Sequence, residues 1–241
     1  MNKHNRAKTI AALILAAGRS SRMQQGQESY HKLLLPLGQG TVLSQVVAAA
    51  LASLAHPVIL ILGYQNAQIR TSLAPYLGYH YDNTLIITEN TAYAEGMSTS
   101  LHKGIQILMN QDNAPSEETT EKPKLTNSSS SIQYDGALVL LGDQPLITSA
   151  LLNQLIETKY ATSKRIIAPF SNGKRRNPVL FDATLFPELL TTTGDEGARS
   201  IIEKHRTEVG RLDIDDSQLW YDVDTWEAYQ QVLHAWQERQ K

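Results

Sequence analysis

The sequence predicts an α/β fold, a doubly wound and mostly parallel sheet, and three observations predict it. Short apolar runs, Ile10–Ala16 and Gly136–Leu141 above all, have the unbroken hydrophobicity of strands buried on both faces. They alternate with stretches of helical period, the pattern of a parallel sheet covered on both sides. Each of these two runs stops in a turn of small or acidic residues, Ala17-Gly18 after one and Gly142-Asp143 after the other. In such sheets ligands bind beyond the carboxyl ends of the strands.

The elements follow in order. After the first strand and its loop, 41–54 reads as a helix, with Thr41 as N-cap and Val42, Val46, Ala49 and Ala50 facing a core. A second strand at 57–62 is closed by Gly63, a short helix at 66–74 precedes Pro75, and a third strand occupies 84–88. A helix at 96–109 opens with Met97-Ser98-Thr99-Ser100, where serines act as caps. The central strand 136–141 follows, then a helix at 149–160 and a strand at 165–169. Helices at 185–190 and 197–204 flank Thr193-Gly194-Asp195-Glu196, and Asp195 is placed to cap the second. A last strand at 208–214 leads to Asp222-Val223-Asp224-Thr225 and a terminal helix through Leu233.

One segment breaks the pattern. Residues 110–135 have almost no large apolar side chains and no useful period. They cannot bury enough surface to offset chain entropy, so a disordered insertion is expected within a single domain spanning 1–241.

The bulk numbers exclude several classes. With 241 residues the chain can bury a substantial core. Net charge is −2, so no global basic field favours nucleic acid or an anionic membrane. There is no cysteine, which rules out disulfides, thiolate metal sites and cysteine nucleophiles. Residues 1–8 are polar with no apolar stretch of signal-peptide type behind them, and the first apolar run is too short to span a bilayer. A soluble cytoplasmic protein is expected.

The loop after the first strand carries the chemistry. Ala17 and Gly18 let a ligand approach the backbone, Arg19 and Arg22 bring charge, and Ser20 and Ser21 bring donors. Lys32 closes the loop ahead of Leu33-Leu34-Leu35-Pro36. A strand opening into a small-residue basic loop suits a triphosphate, although neither G-x-x-x-x-G-K-[ST] nor G-x-G-x-x-G is present. An ordinary βα loop with solvated arginines is the alternative. Asp143, directly after a buried strand, points toward the same crevice, and magnesium takes one or two carboxylates plus substrate phosphates. A turn-starting Asp before Pro145 is the alternative there.

The run L-A-A-G-x-S-x-R-M followed by K-L-L-x-P-L resembles MobA-like nucleotidyltransferases, and more narrowly their molybdenum cofactor cytidylyltransferase (MocA-type) branch. Further matches follow in the family's order: Gly96-Met97-Ser98-Thr99-Ser100-Leu101, Leu141-Gly142-Asp143-Gln144-Pro145, Asn177-Pro178-Val179-Leu180-Phe181, Gly194-Asp195-Glu196-Gly197-Ala198-Arg199 and Asp222-Val223-Asp224-Thr225. The resemblance implies a Rossmann-like, GT-A-like three-layer fold. It implies transfer of CMP from CTP to the terminal phosphate of the molybdopterin molybdenum cofactor, with release of pyrophosphate. It places Leu15, Ala16, Ala17, Gly18, Arg22, Lys32, Asn90, Ser98, Gly142 and Asp143 at the nucleotide, and Arg22, Lys32 and Asp143 in catalysis. It makes Asp143 and Asp224, with Asp222 as the weaker alternative, the ligands of Mg²⁺. Lys174, Arg175 and Arg176 fall on the acceptor side, with a solvated hairpin tip as the alternative, the resemblance lets the turn Thr193-Gly194-Asp195-Glu196 touch the acceptor as well, and a molybdoenzyme or its chaperone is the implied client. Two rivals stay open: a related transferase using GTP or another small phosphorylated acceptor, and a non-catalytic carrier of the cofactor. The stretch between Met23 and Lys32 is longer than in the family, so Leu33–Pro36 is expected to place Lys32 while the extra residues loop outward.

Overall fold

The computed structural model describes residues 9–20, 22–25, 28–29, 31–74, 84–109 and 134–240. Eight strands form the main sheet: β1 Ile10–Ala16, β2 Val58–Leu62, β3 Leu85–Glu89, β4 Gly136–Leu141, β5 Ile166–Ser171, β6 Lys174–Arg175, β7 Val179–Asp182 and β8 Val209–Asp213. The helices are α1 Val42–Leu51, α2 Asn66–Leu73, α3 Met97–Met109, α4 Ser149–Ala161, α5 Phe186–Leu189, α6 Arg199–Lys204 and α7 Trp226–Glu238.

The path across the sheet is β6-β5-β7-β4-β1-β2-β3, with β8 beside β5. β1 lies parallel to β4 on one side and to β2 on the other, and β2 is parallel to β3. β7 alone runs against both neighbours, β4 and β5, while the β5–β6 hairpin and the parallel β8 finish that end. The expected doubly wound, mostly parallel sheet is therefore present, with one reversed strand inside it.

Alternation along β1 explains the two-sided core. Ile10, Ala12, Ile14 and Ala16 face the layer built from α1, α2, α4 and α7. Ala11, Leu13 and Leu15 face α3, α5 and α6. Every residue of β1 and β2 is buried, which is why both read as unbroken apolar runs. On α3, Gly104 lets the helix lie close to β1, because an added Cβ would stand 3.0 Å from a Leu13 methyl.

The element boundaries depart from expectation in a few places. α1 stops at Leu51, while α7 continues past Leu233 to Glu238, with Ala235 still facing the core. The Thr41 cap is as expected: its Oγ1 accepts from Ser44 N at 3.2 Å. Residues 110–133 of the anticipated insertion lie outside the described residues. Its last two residues are anchored: Tyr134 belongs to the core, and Thr9 N donates to Asp135 Oδ2 at 2.7 Å. Among the described residues no helix is long and apolar enough to cross a membrane.

Candidate active site

Three chain segments converge at the carboxyl ends of β1 and β4. The loop after β1 is the first. Ser20 adopts φ 55°, turns the chain, and accepts from Lys32 N on its Oγ at 3.1 Å. That bond ties the far end of the loop back to its start. Leu33 and Leu35 are buried and Lys32 opens a single 3₁₀ turn, so Lys32 is fixed by the core beneath it, as expected. Ser21, Gly26, Gln27 and Tyr30 lie outside the described residues, and with them the outward course of the loop.

The second segment is the turn after β4. Gly142 packs under the site: an added Cβ would come within 3.0 Å of the Ala16 methyl, and its N–H donates to Leu15 O at 3.0 Å. The third is the stretch before α7. Val223 is fully buried and its N–H donates to Asp143 O at 3.0 Å, which carries Asp224 to the side of Asp143.

Lys32 joins the three. Its Nζ donates to Asp143 Oδ2 at 2.5 Å and to Asp224 Oδ1 at 2.6 Å. Burial works against the ammonium, but the charge of Asp143 and the hydrogen bonds Lys32 donates to both carboxylates outweigh it and raise the Lys32 pKa above the ordinary lysine value. Burial pushes Asp224 up, yet the hydrogen bond from Lys32 and the charges of Lys32 and Arg22 overcome it and hold its carboxyl below the usual range. Arg22, largely exposed, reaches Asp224 Oδ2 at 3.2 Å. His31, next to Lys32, is held neutral: burial, with the Lys32 charge, lowers its pKa to about 4.

The donor set suits a divalent cation. Asp143 Oδ1 is buried and has no hydrogen-bond partner among the described residues, while Lys32 already supplies positive charge between the two carboxylates. No group of three His, Cys, Asp or Glu stands ready for a metal among the described residues. Two carboxylates, with further ligands from substrate phosphate, match magnesium chemistry.

Two chambers flank this centre. The first, about 400 Å³, is lined by Leu15, Ala16, Ala17, Gly18, Arg19, Ser20, Arg22, Lys32, Tyr93, Ser100, Asp143 and Asp224, among others. An added Cβ on Gly18 would meet nothing within 4 Å, so open space stands beside this backbone. The second, about 280 Å³, is lined by Gln144, Arg175, Arg176, Arg199, Trp220 and Asp222, over Val139 and Phe181. Leu15, Leu141, Met97 and Asp195 border both.

Some sequence-predicted residues are placed elsewhere. Asn90 is buried and committed: Nδ2 donates to Thr99 Oγ1 at 2.8 Å and Ser100 Oγ at 2.9 Å, and Oδ1 accepts from Ala92 N. It braces the start of α3 and lines neither chamber, and Ser98 is buried away from both. Ser100, two positions on from Ser98, does line the first chamber. Asp195 does not cap α6, whose N-cap Ala198 has no side-chain bond. Instead its Oδ1 accepts from Met97 N at 3.2 Å, capping α3 from across the fold. Gly96 makes that docking possible: it adopts φ +117° and a Cβ there would stand 2.5 Å from the Gly194 backbone. Tyr93, Gln144 and Trp220 were missed; Tyr93 carries Arg19 5.4 Å above its ring. The neighbouring L-G-D-Q-P run was the signal available for Gln144.

A model of the MobA-like NTP transferase domain matches residues 12–209. The chain belongs to that family. It is therefore a nucleotidyltransferase of MobA-like type, and both chambers lie within elements of that domain or beside it. Among curated proteins it is 27% identical over 231 residues to the purine catabolism protein PucB of Bacillus subtilis, covering 95% of this chain and 98% of PucB. Among solved structures it is similar to Rv0371c of Mycobacterium tuberculosis H37Rv, with a TM-score of 0.68 and 25% identity over 95% of this chain and 99% of that one. A nucleotidyl transferase from Methanothermobacter, Mth528, shares the fold with a TM-score of 0.72 at 18% identity, covering 97% of this chain and all of that one.

Proposed function

We propose that the protein is a Mg²⁺-dependent cytidylyltransferase that moves CMP from CTP to the terminal phosphate of the molybdopterin molybdenum cofactor. The observation that carries this reading is the Lys32–Asp143–Asp224 centre, standing where a small-residue basic chamber meets an arginine-bearing one. The CTP triphosphate fits the first chamber, along Ala16-Ala17-Gly18 and toward Arg22 and Lys32. The acceptor fits the second. There burial is the main effect lowering the Arg175 pKa, with Arg199 adding to it and Glu203 opposing, so an incoming anion would restore what the surroundings withhold.

In the reaction an oxygen of the acceptor phosphate attacks the α-phosphorus of CTP. The bond from that phosphorus to the β-phosphate oxygen breaks, and pyrophosphate leaves. The acceptor phosphate has a second pKa of about 6, so it is already mostly ionised at neutral pH and no general base is required. Asp143 and Asp224 would hold Mg²⁺, which supplies charge neutralisation at the reacting phosphates. A manganese complex is recorded for Rv0371c of Mycobacterium tuberculosis, which supports divalent metal use. Arg22 and Lys32 would take the charge of the leaving pyrophosphate, and the two chamber walls align donor and acceptor. The molybdenum cofactor as acceptor is supported by the ordered motif resemblance and by the three arginines.

The test is pyrophosphate release with each of CTP, GTP, ATP and UTP, with and without molybdenum cofactor. Release that needs CTP and the cofactor together supports the reading. Release with GTP to the same extent, or none with any nucleotide, overturns it.

A further inference from the structure

We propose that Gln144 and Arg176 read the ring edge of the acceptor, so that the second chamber selects a planar heterocycle whose edge offers both a hydrogen-bond donor and a hydrogen-bond acceptor. This rests on the second chamber being the acceptor's.

Two atoms point to it. Gln144 is 7% exposed, and its Oε1 is buried with no hydrogen-bond partner among the described residues. Arg176 Nε is buried and unpaired in the same way. Both residues line the second chamber. Buried polar atoms without partners are rare and unfavourable, and each such group needs a reason. One of these is an acceptor and the other a donor. They do not satisfy each other, and a ligand offering both a donor and an acceptor would complement them.

Their surroundings narrow the class. Trp220 donates its Nε1–H to Asn177 O at 2.6 Å, which fixes the indole. The Arg176 guanidinium carbon stands 6.0 Å from the Trp220 ring. A flat ring entering here meets a fixed aromatic surface and a planar cation, both suited to stacking. Arg175 and Arg199 remain for an anionic group on the same ligand. A sugar phosphate would engage those arginines but offers no flat face and no paired edge. Gln144 directly follows Asp143, so its grip on the ring also sets the distance from ring to reacting phosphate.

The probe is 6-carboxypterin, a fluorescent pterin with an anionic group and no transferable phosphate, titrated into the full-length protein. Wild type is expected to bind it. Gln144→Leu should weaken binding about three- to tenfold, and Arg176→Met, which loses a charged donor, roughly ten- to a hundredfold. CTP affinity and melting temperature, measured on the same samples, should stay at wild-type values. In turnover the KM for molybdenum cofactor should rise while the KM for CTP holds. No binding by wild type, or unchanged affinity in both folded variants, overturns the proposal. If wild type and variants behave as expected with the pterin but no nucleotide yields pyrophosphate, the cytidylyl reading falls and this one stands. If pyrophosphate release is normal and the cofactor KM is unmoved in both variants, this one falls and the cytidylyl reading stands.

Discussion

Lys32→Met removes the cation between Asp143 and Asp224 while keeping most of its volume. Nζ holds one oxygen of each at 2.5 and 2.6 Å, so the two carboxylates lie within about 5 Å of each other. Two like charges at that distance repel by about 0.8 kcal/mol in bulk water and about 3 kcal/mol at an effective permittivity of 20. The Asp143 side chain is 18% exposed and that of Asp224 39%, so solvent screens the pair and the loss should fall between, at about 1–2 kcal/mol. For a chain of this length that lowers the melting temperature by roughly 2–8 °C. The assay is calorimetric melting in EDTA and again in millimolar Mg²⁺. The variant should melt lower in EDTA, and Mg²⁺ should raise its melting temperature more than it raises that of wild type, because a cation replaces the missing charge. The pH dependence has a defined sign. The folded lysine value is raised, so its share of the stability is complete below the unfolded value of about 10.4 and is lost as pH climbs through the folded one. The folded Asp224 value is lowered, so its share is present above the unfolded value of about 3.9 and is lost as pH falls through the folded one. The gap between wild type and variant should therefore be flat from about pH 5 to 9 and shrink on either side. Equal melting temperatures in EDTA with equal Mg²⁺ responses would refute the bridge.

Three further outcomes are expected. Asp143→Asn should fold normally and lose on the order of 10²–10³ or more in CTP-dependent pyrophosphate release, and near wild-type kcat would remove Asp143 from the chemistry. Asp195→Ala should cost about 1 kcal/mol through loss of the bond to Met97 N, seen as a drop of a few degrees in melting temperature; an unchanged melt would make that cap irrelevant to α3. Ala17→Gly should erode a CTP-over-GTP preference of roughly 10- to 200-fold in kcat/KM, since Ala17 lines the first chamber, and an unaltered ratio would clear Ala17 of any role in choosing the base.

Much of the fold was legible because the central strands are buried on both faces. β1, β2 and β4 present continuous apolar runs that no surface element would carry, and their order with the helices leaves few topologies. Asp143 could be singled out because a strand end fixes where it points. The bridge could not: Lys32 is 111 residues from Asp143 and 192 from Asp224, and nothing local joins them. Asn90 and Ser98 came from the resemblance, and in the structure Asn90 has already given its donors to Thr99 and Ser100. Asp195 shows local logic overruled by packing, since the near contact of Gly96 with Gly194 offers it the start of α3 before that of its own helix. Neither Ala17 nor Gly18 is left-handed, so the case for Ala17 rests on its place in the first chamber's lining and not on backbone strain.

The sequence left two carboxylates, Asp222 and Asp224, as candidates to face Asp143, and their surroundings separate them. Val223 between them is pinned, its side chain in the core and its N–H on Asp143 O. With the middle residue fixed, the flanking pair is divided between the chambers: Asp224 lines the first and Asp222 the second. Asp224 holds Lys32 and Arg22, and its pKa is lowered despite burial. At Asp222 burial is the largest effect and the charges of Asp224 and Asp143 add to it; its own backbone N–H and the Lys32 charge oppose them without overcoming them, so its pKa is raised. A cation ligand must be a carboxylate whose charge is favoured where it stands. On placement and on charge alike Asp224, rather than Asp222, is suited to share a cation with Asp143.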